Sequence, residues 1–190
     1  MKVFQIGFER CGTNSICSFF SQNGHKSVHW GGVEQTGAKI LAKNHKEGKP
    51  LCDGYNDIVL WSDIGYLQRN FQLFAEQYPE AKFIYNVRNL DNWLKSKETH
   101  RLRQPYSHNS RQKKFFGLEP NEIPSKLFWK AHWVLHRNCV NEYFVGKQAE
   151  RLLIFDIEND GGQQIADFLP ELQFKNLNFP HKNSTKDKLI

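Results

Sequence analysis

The stretch Val3-Phe4-Gln5-Ile6-Gly7-Phe8-Glu9-Arg10-Cys11-Gly12-Thr13-Asn14-Ser15 decides the architecture. A short apolar run is broken by Gly7, and Gly12-Thr13-Asn14-Ser15 opens an amphipathic segment reaching about Gln22, so the order is strand, glycine-bounded loop, helix. Backbone N–H groups at such a junction converge on an anion, and the helix N-terminus adds a favourable dipole. The two glycines have the Walker A separation, yet Thr13 and Asn14 stand where an ATP-binding loop carries Lys and then Ser or Thr. Arg10, inside the loop, supplies a cation instead, and the hydroxyls of Thr13 and Ser15 can donate to the same oxyanion. Two glycines alone also fit a plain tight turn, so the weight of this stretch depends on matching signals elsewhere in the chain.

Outward from the loop, a strand is expected at 27–30, a helix at 33–43 and a third strand near Leu51 and Cys52. Residues 66–78 place Leu67, Phe71, Phe74 and Ala75 on one helical face; Pro79 stops that helix just before the apolar strand Lys82-Phe83-Ile84-Tyr85-Asn86-Val87. A helix comes after Leu90. The longest helical segment is 125–144, with Ser125 as its cap and Phe128, Ala131, Leu135, Cys139 and Tyr143 as its buried stripe. Leu152-Leu153-Ile154-Phe155 reads as the last strand, a short helix ends near Leu169 after Gly161-Gly162, and the tail 170–190 is polar and aperiodic. Short apolar strands alternating with helices predict the α/β class: a P-loop-like three-layer domain whose mainly parallel central sheet of about five strands is flanked by helices. With no repeat, low-complexity tract or linker, 1–190 reads as a single domain.

Composition narrows the function classes. The 190 residues carry 26 Lys and Arg against 20 Asp and Glu, a net charge of +6, and 39% are hydrophobic, with 15 Phe and five Trp. That is enough apolar surface for a core, which excludes disordered and fibrous chains. No run approaches the roughly 18 to 20 apolar residues of a membrane span, and a strand beginning at Lys2 leaves no room for a signal peptide, so a cytoplasmic protein is expected. Cys11, Cys17, Cys52 and Cys139 have neither zinc-site spacing nor disulfide density and read as reduced thiols. Among eight histidines only His132 and His136 share i, i+4 spacing within an expected helix, one pair and therefore no metal site. The segment 97–124 gathers Lys97, Arg101, Arg103, Arg111, Lys113 and Lys114 with Tyr106 and His108 between them. It fits a lid over a ligand, an acceptor contact or a solvated charged surface; no nucleic-acid motif accompanies it.

A second segment, Arg88-Asn89-Leu90-Asp91-Asn92-Trp93-Leu94-Lys95-Ser96, falls at the carboxyl end of the strand 82–87, the edge where doubly wound sheets bind ligands. With the loop at 7–15 it resembles the sulfotransferases that use 3′-phosphoadenosine 5′-phosphosulfate (PAPS), in particular a compact single-domain branch with an Arg-Cys-Gly-Thr loop. An arginine followed eight residues later by a serine is that family's 3′-phosphate motif, matched by Arg88 and Ser96. Tyr78-Pro79-Glu80-Ala81-Lys82-Phe83-Ile84, Arg151-Leu152-Leu153-Ile154-Phe155 and the tail Phe179-Pro180-His181-Lys182-Asn183 are similar as well, so the likeness covers most of the chain.

The resemblance implies that Arg10, Cys11, Gly12, Thr13, Asn14 and Ser15 hold the 5′-phosphosulfate, and that Arg88 and Ser96, with Lys182, hold the 3′-phosphate. Arg10 would also stabilise charge on the departing phosphate oxygen. The family's base, a histidine or carboxylate, lies on the segment before the helix that precedes the 3′-phosphate strand. Within Asp53-Gly54-Tyr55-Asn56-Asp57-Ile58-Val59 the choice is Asp57, with Asp53 the alternate; each also fits a simple cap or turn. His136 is similar to a histidine common in the branch and is a further candidate. Glu9 and Val59 stand where the branch commonly has proline. The implied reaction moves a sulfuryl group to a hydroxyl or amine of a glycan, lipid or small-molecule acceptor without a catalytic metal and releases 3′,5′-adenosine bisphosphate, in a monomer or homodimer with no membrane span and no nucleic-acid partner. Two other readings stay open. A P-loop kinase of small molecules or nucleotides is opposed by the absent Walker lysine, and a non-enzymatic polyanion-binding module would rest on the basic surplus.

Overall fold

Strands buried on both faces need apolar residues at consecutive positions, which the central strands largely supply, whereas the two edge strands bury only Val28 and Phe155. In the computed structural model, which describes residues 1–30, 37–103 and 125–181, the strands are β1 (Val3–Gln5), β2 (Ser27–His29), β3 (Leu60–Ser62), β4 (Lys82–Val87) and β5 (Leu152–Asp156). All pair in parallel in the order β2-β3-β1-β4-β5, with Val3 opposite Leu60 and Gln5 opposite Ile84. The helices are α1 (Thr13–Gln22), α2 (Gly37–Lys46), α3 (Gly65–Arg69), α4 (Phe71–Gln77), α5 (Leu90–Arg103), α6 (Ser125–Tyr143) and α7 (Gly162–Phe168). The expected α/β class with a parallel five-stranded sheet is what the chain forms.

The chain divides into two compact units, residues 1–87 with 144–190, and residues 88–143. The first holds the sheet. Its period-two alternation sends Val3, Leu60, Ile84 and Phe155 to one face, against Ile16, Phe19 and Phe20 of α1 and Ile165 of α7. Phe4 points the other way, with its ring 5.0 Å from Phe74 and 5.5 Å from Phe83, while Phe144 stacks on Phe71. Each such ring contributes about 1.5–3 kcal/mol on burial. The tail joins this core despite its polar composition: Phe174 stacks on Phe19 at 4.9 Å, and Asn23 Oδ1 accepts the N–H groups of Lys175 and Asn176.

Three expectations are corrected. The third strand is Leu60–Ser62, not the stretch at Leu51 and Cys52. Those two are buried in a turn, and their N–H groups go to side chains, Leu51 to Gln77 Oε1 (2.7 Å) and Cys52 to the Tyr78 hydroxyl (2.7 Å), where a strand would use a ladder. The helix expected at 66–78 is two helices. It breaks at Asn70, whose amide donates to Tyr66 O (2.7 Å) and competes with the helical ladder. In the second unit the buried residues of α6 are Trp129, Trp133, His136 and Val140, whereas Ala131 and Cys139 are exposed and Leu135 is 63% exposed. The indoles decide this rotation: Trp133 meets Trp93 of α5 at 4.6 Å, and Lys97 Nζ lies 5.4 Å over the Trp129 ring. Of the proposed lid, residues 97–103 finish α5, and the remainder lies outside the described residues. Among the described residues no helix is long and apolar enough to cross a membrane.

Candidate functional site

The strand order puts a switch at β1, whose neighbours β3 and β4 carry the chain away on opposite sides; ligands of open α/β sheets bind at the carboxyl ends of such strands. The loop 6–12 leaves β1 there. Gly7 is required by close approach, since a Cβ would run into the backbone oxygen and the side-chain amide of Asn86 on β4. Gly12 is the N-cap of α1 at φ 75°, a left-handed conformation, and Ile16 N–H donates to its carbonyl at 3.0 Å to begin the helix. The loop carbonyls are turned away from the ligand side. Gly7 O accepts from Gln68 Nε2 (2.6 Å) and Gln5 Nε2 (2.9 Å), and Cys11 O accepts from Asn86 Nδ2 (2.7 Å). In a trans peptide the next N–H points the opposite way, so the N–H groups of Phe8 and Gly12 are directed to the other side of the loop. The first N–H groups of α1 have no acceptor within the helix, and its first turn carries no acidic residue. Arg10, two residues before the N-cap, is half-buried at φ 69°. Such a conformation costs a bulky residue about 1–2 kcal/mol and is characteristic of functional loops.

Beside this anion cradle stands a pair of titratable groups. His29 ends β2, and its Nε2 lies 3.2 Å from the Thr13 hydroxyl and 3.6 Å from Asp63 Oδ2. Asp63 follows β3 directly, at φ 58°, with its N–H donating to Gln5 Oε1 at 2.8 Å. The two side chains are 28% and 18% exposed. Burial pushes the His29 imidazole below the ordinary histidine range, so near neutral pH it is an uncharged proton acceptor and its approach to Asp63 is a polar contact more than an ion pair. An anion-binding helix start in contact with a proton-accepting pair is the equipment of a group-transfer site.

The comparisons with known proteins agree with that chemistry. The family model of the sulfotransferase domain matches residues 2–121, well over half of the chain. The chain belongs to the sulfotransferase family. Among solved structures it is similar to a sulfotransferase from Alicyclobacillus acidocaldarius, with a TM-score of 0.62 and 16% identity over 98% of this chain and 87% of that one, a likeness of fold. No curated protein is similar enough in sequence to count as a match.

For a sulfotransferase the placement of the expected residues is informative. Arg10, Cys11, Gly12, Thr13, Asn14 and Ser15 form the loop and first turn just described. Asp53 and Asp57 are not brought to it. Lys2 Nζ ties the carbonyls of Tyr55 (2.7 Å) and Ile58 (2.9 Å) to the start of β1, and Lys26 binds Asp57 at 2.5 Å before β2 begins. This is the amino edge of the sheet, about 16 Å along the strand direction from Gly7. The Lys26 ammonium also holds the exposed Asp57 carboxyl below the usual carboxylate range, the wrong direction for a base poised near neutrality. Arg88, Ser96 and His136 belong to the second unit. Arg88 is half-buried ahead of α5, whose start is capped by Asn89 Oδ1 accepting the N–H groups of Asp91 (3.0 Å) and Asn92 (3.2 Å). Ser96 is half-buried less than two turns into α5, and His136 is buried on α6. Lys182 lies outside the described residues. His29 and Asp63 are the residues that sequence reasoning missed. The available signal was Leu60-Trp61-Ser62, a short apolar run ending directly in an acidic residue, combined with the rule that strand carboxyl ends carry ligands. Among the described residues no group of three or more His, Cys, Asp or Glu is arranged to hold a metal ion.

Proposed function

We propose that this chain transfers a sulfuryl group from PAPS to a hydroxyl or amine of a glycan, lipid or small-molecule acceptor. The observation that carries the proposal is the contact between Thr13, at the mouth of the anion loop, and His29, itself beside Asp63: donor cradle and proton acceptor share one end of the sheet. The acceptor oxygen or nitrogen attacks sulfur as the bond from sulfur to the bridging phosphate oxygen breaks. The acceptor proton passes to the His29–Asp63 pair, and the departing oxygen of 3′,5′-adenosine bisphosphate takes up negative charge. Loop N–H groups, the α1 N-terminus and Arg10 stabilise that charge. Arg88 and Ser96, with Lys182, are assigned to the 3′-phosphate on the strength of the Arg-Ser motif, a guanidinium and a hydroxyl suiting a dianion. Asp53 and Asp57 have no part in this mechanism.

Calorimetric titration with 3′,5′-adenosine bisphosphate, with ATP plus Mg²⁺ as the comparison, tests the donor assignment without knowledge of the acceptor. Micromolar or tighter bisphosphate binding that falls at least tenfold in Arg88→Ala, about 1.4 kcal/mol, is the expected result. Tighter binding of ATP with Mg²⁺ would replace the proposal with the kinase reading, and binding of neither would remove it.

A further inference from the structure

Parallel sheets are normally apolar to their ends, yet the carboxyl ends of β3, β1 and β4 carry Ser62, Gln5 and Asn86, each fully buried on the same face of the sheet. A buried primary amide needs partners for two donors and for its acceptor oxygen. Gln5 has them, and they divide between two structures. Its Nε2 donates to Gly7 O (2.9 Å) and to Asn86 Oδ1, the amide whose own Nδ2 holds Cys11 O; its Oε1 accepts from Asp63 N (2.8 Å) and from Ser62 Oγ (3.1 Å). The nitrogen end therefore fixes the carbonyls of the anion loop, and the oxygen end fixes the left-handed residue beside His29. Gln68 is a one-sided counterpart that reaches only the loop, at Gly7 O.

We propose that Gln5 is a positioning residue that holds the anion loop and the Asp63 turn in one register, so that a donor seated in the loop is presented to the His29–Asp63 pair. Bound wholly inside the protein, Gln5 touches neither donor nor acceptor; it acts through the peptide groups at both ends of its amide. This inference rests on the sulfuryl-transfer reading, because register between loop and turn matters only if the two act on one substrate.

Three proteins test it: wild type, Gln5→Met, which keeps the volume and loses all four bonds, and Gln68→Met, which loses the loop bond alone. Two quantities are read, affinity for 3′,5′-adenosine bisphosphate by calorimetry and the titration of the His29 imidazole by NMR in nucleotide-free protein. Gln68→Met lowers the affinity and leaves the His29 curve in place. Gln5→Met lowers the affinity about tenfold or more and moves the His29 midpoint by roughly half a pH unit, because Asp63 relaxes when its N–H loses its acceptor. A folded Gln5→Met that leaves either quantity at its wild-type value overturns the inference. Should Gln5→Met fail to fold, Gln5→Glu, which keeps both acceptor bonds and replaces the two N–H donors by at most one O–H of a protonated carboxyl, takes its place in the affinity measurement, and unchanged affinity there overturns it equally. Wild type that does not bind the bisphosphate refutes the donor reading itself, an outcome distinct from a wild type that binds beside a Gln5 variant that binds as well.

Discussion

Replacing Gly7 by alanine isolates the contact on which the loop is built. The added Cβ would overlap the Asn86 backbone oxygen and side-chain amide, and separating them to the 3.0 Å that real Cβ atoms keep requires β1 and β4 to part by about 1 Å. Ile6 N–H, which donates to Ile84 O at 2.9 Å, would then sit about 3.9 Å away, too far for a hydrogen bond, and the bonds of the Asn86 amide to Cys11 O and Gln5 Nε2 would stretch likewise. Two or three buried hydrogen bonds at about 1 kcal/mol each, with about 1–3 kcal/mol of overpacking, give a loss of about 3–6 kcal/mol. For a domain of this size that lowers Tm by roughly 6–24 °C. Gly24→Ala provides the contrast: φ is 81° but nothing lies within 4 Å of the added atom, so only the conformational cost of about 1–2 kcal/mol applies. Urea unfolding of both variants measures the difference. If Gly7→Ala is the less damaging of the two, the close approach to Asn86 does not govern the loop and the reasoning fails.

Two further outcomes concern the shifted groups. Because burial holds the folded His29 pKa below its unfolded value near 6.5, the unfolded chain protonates first; the stabilisation is fully present above pH 6.5 and is lost as pH falls through the folded pKa, so His29→Asn flattens this limb of the stability profile measured by urea unfolding. Burial pushes the Cys52 thiol up to about 11 whereas Cys139 is exposed, so brief alkylation at pH 8 labels Cys139 and leaves Cys52 unmodified by mass spectrometry; early labelling of Cys52 would show that its turn opens readily.

Most of the fold was legible because parallel strands announce themselves: 82–87 and 152–155 are apolar runs too short for helices, each bounded by a turn signal. The misplacement of β3 shows the limit. Leu51 and Cys52 are as apolar as Leu60 and Trp61, and their burial was correctly implied. What separates the two stretches is where their N–H groups go, and the Gln77 and Tyr78 side chains that take them lie some 26 residues away in the sequence. Asp57 and Asp53 follow from the resemblance, which puts the base on the segment before the helix that precedes the 3′-phosphate strand; in the structure 53–59 approaches β3 at the amino end of the sheet. The α6 stripe failed for a related reason. Apolar residues surround that helix, so periodicity allowed more than one face, and the choice was made by Trp93 and Lys97 on another helix.

The two glycines bound the expected strand-to-helix loop, and the structure gives each a reason of its own. Two glycines around a strand-to-helix loop suggest a backbone made bare so that a phosphate can approach, and in this chain neither is explained that way. Gly7 is bare because Asn86 fills the space behind it, and Gly12 because it turns left-handed against the Ile157 side chain. The ligand side is shaped from the opposite face of the loop, by buried amides that capture carbonyl oxygens and thereby orient the intervening N–H groups. Unpaired, each of these amides would cost about 1–3 kcal/mol in a position where valine or leucine would pack without penalty. The Gln5 and Asn86 amides, with the Ser62 hydroxyl, at the ends of three adjacent strands tie a polar requirement of the site to the sheet itself. It also accounts for the absence of the Walker lysine: a loop whose N–H groups are fixed from behind and whose cation, Arg10, lies within its own turn presents a fixed cluster of donors, suited to an oxyanion whose charge changes during transfer.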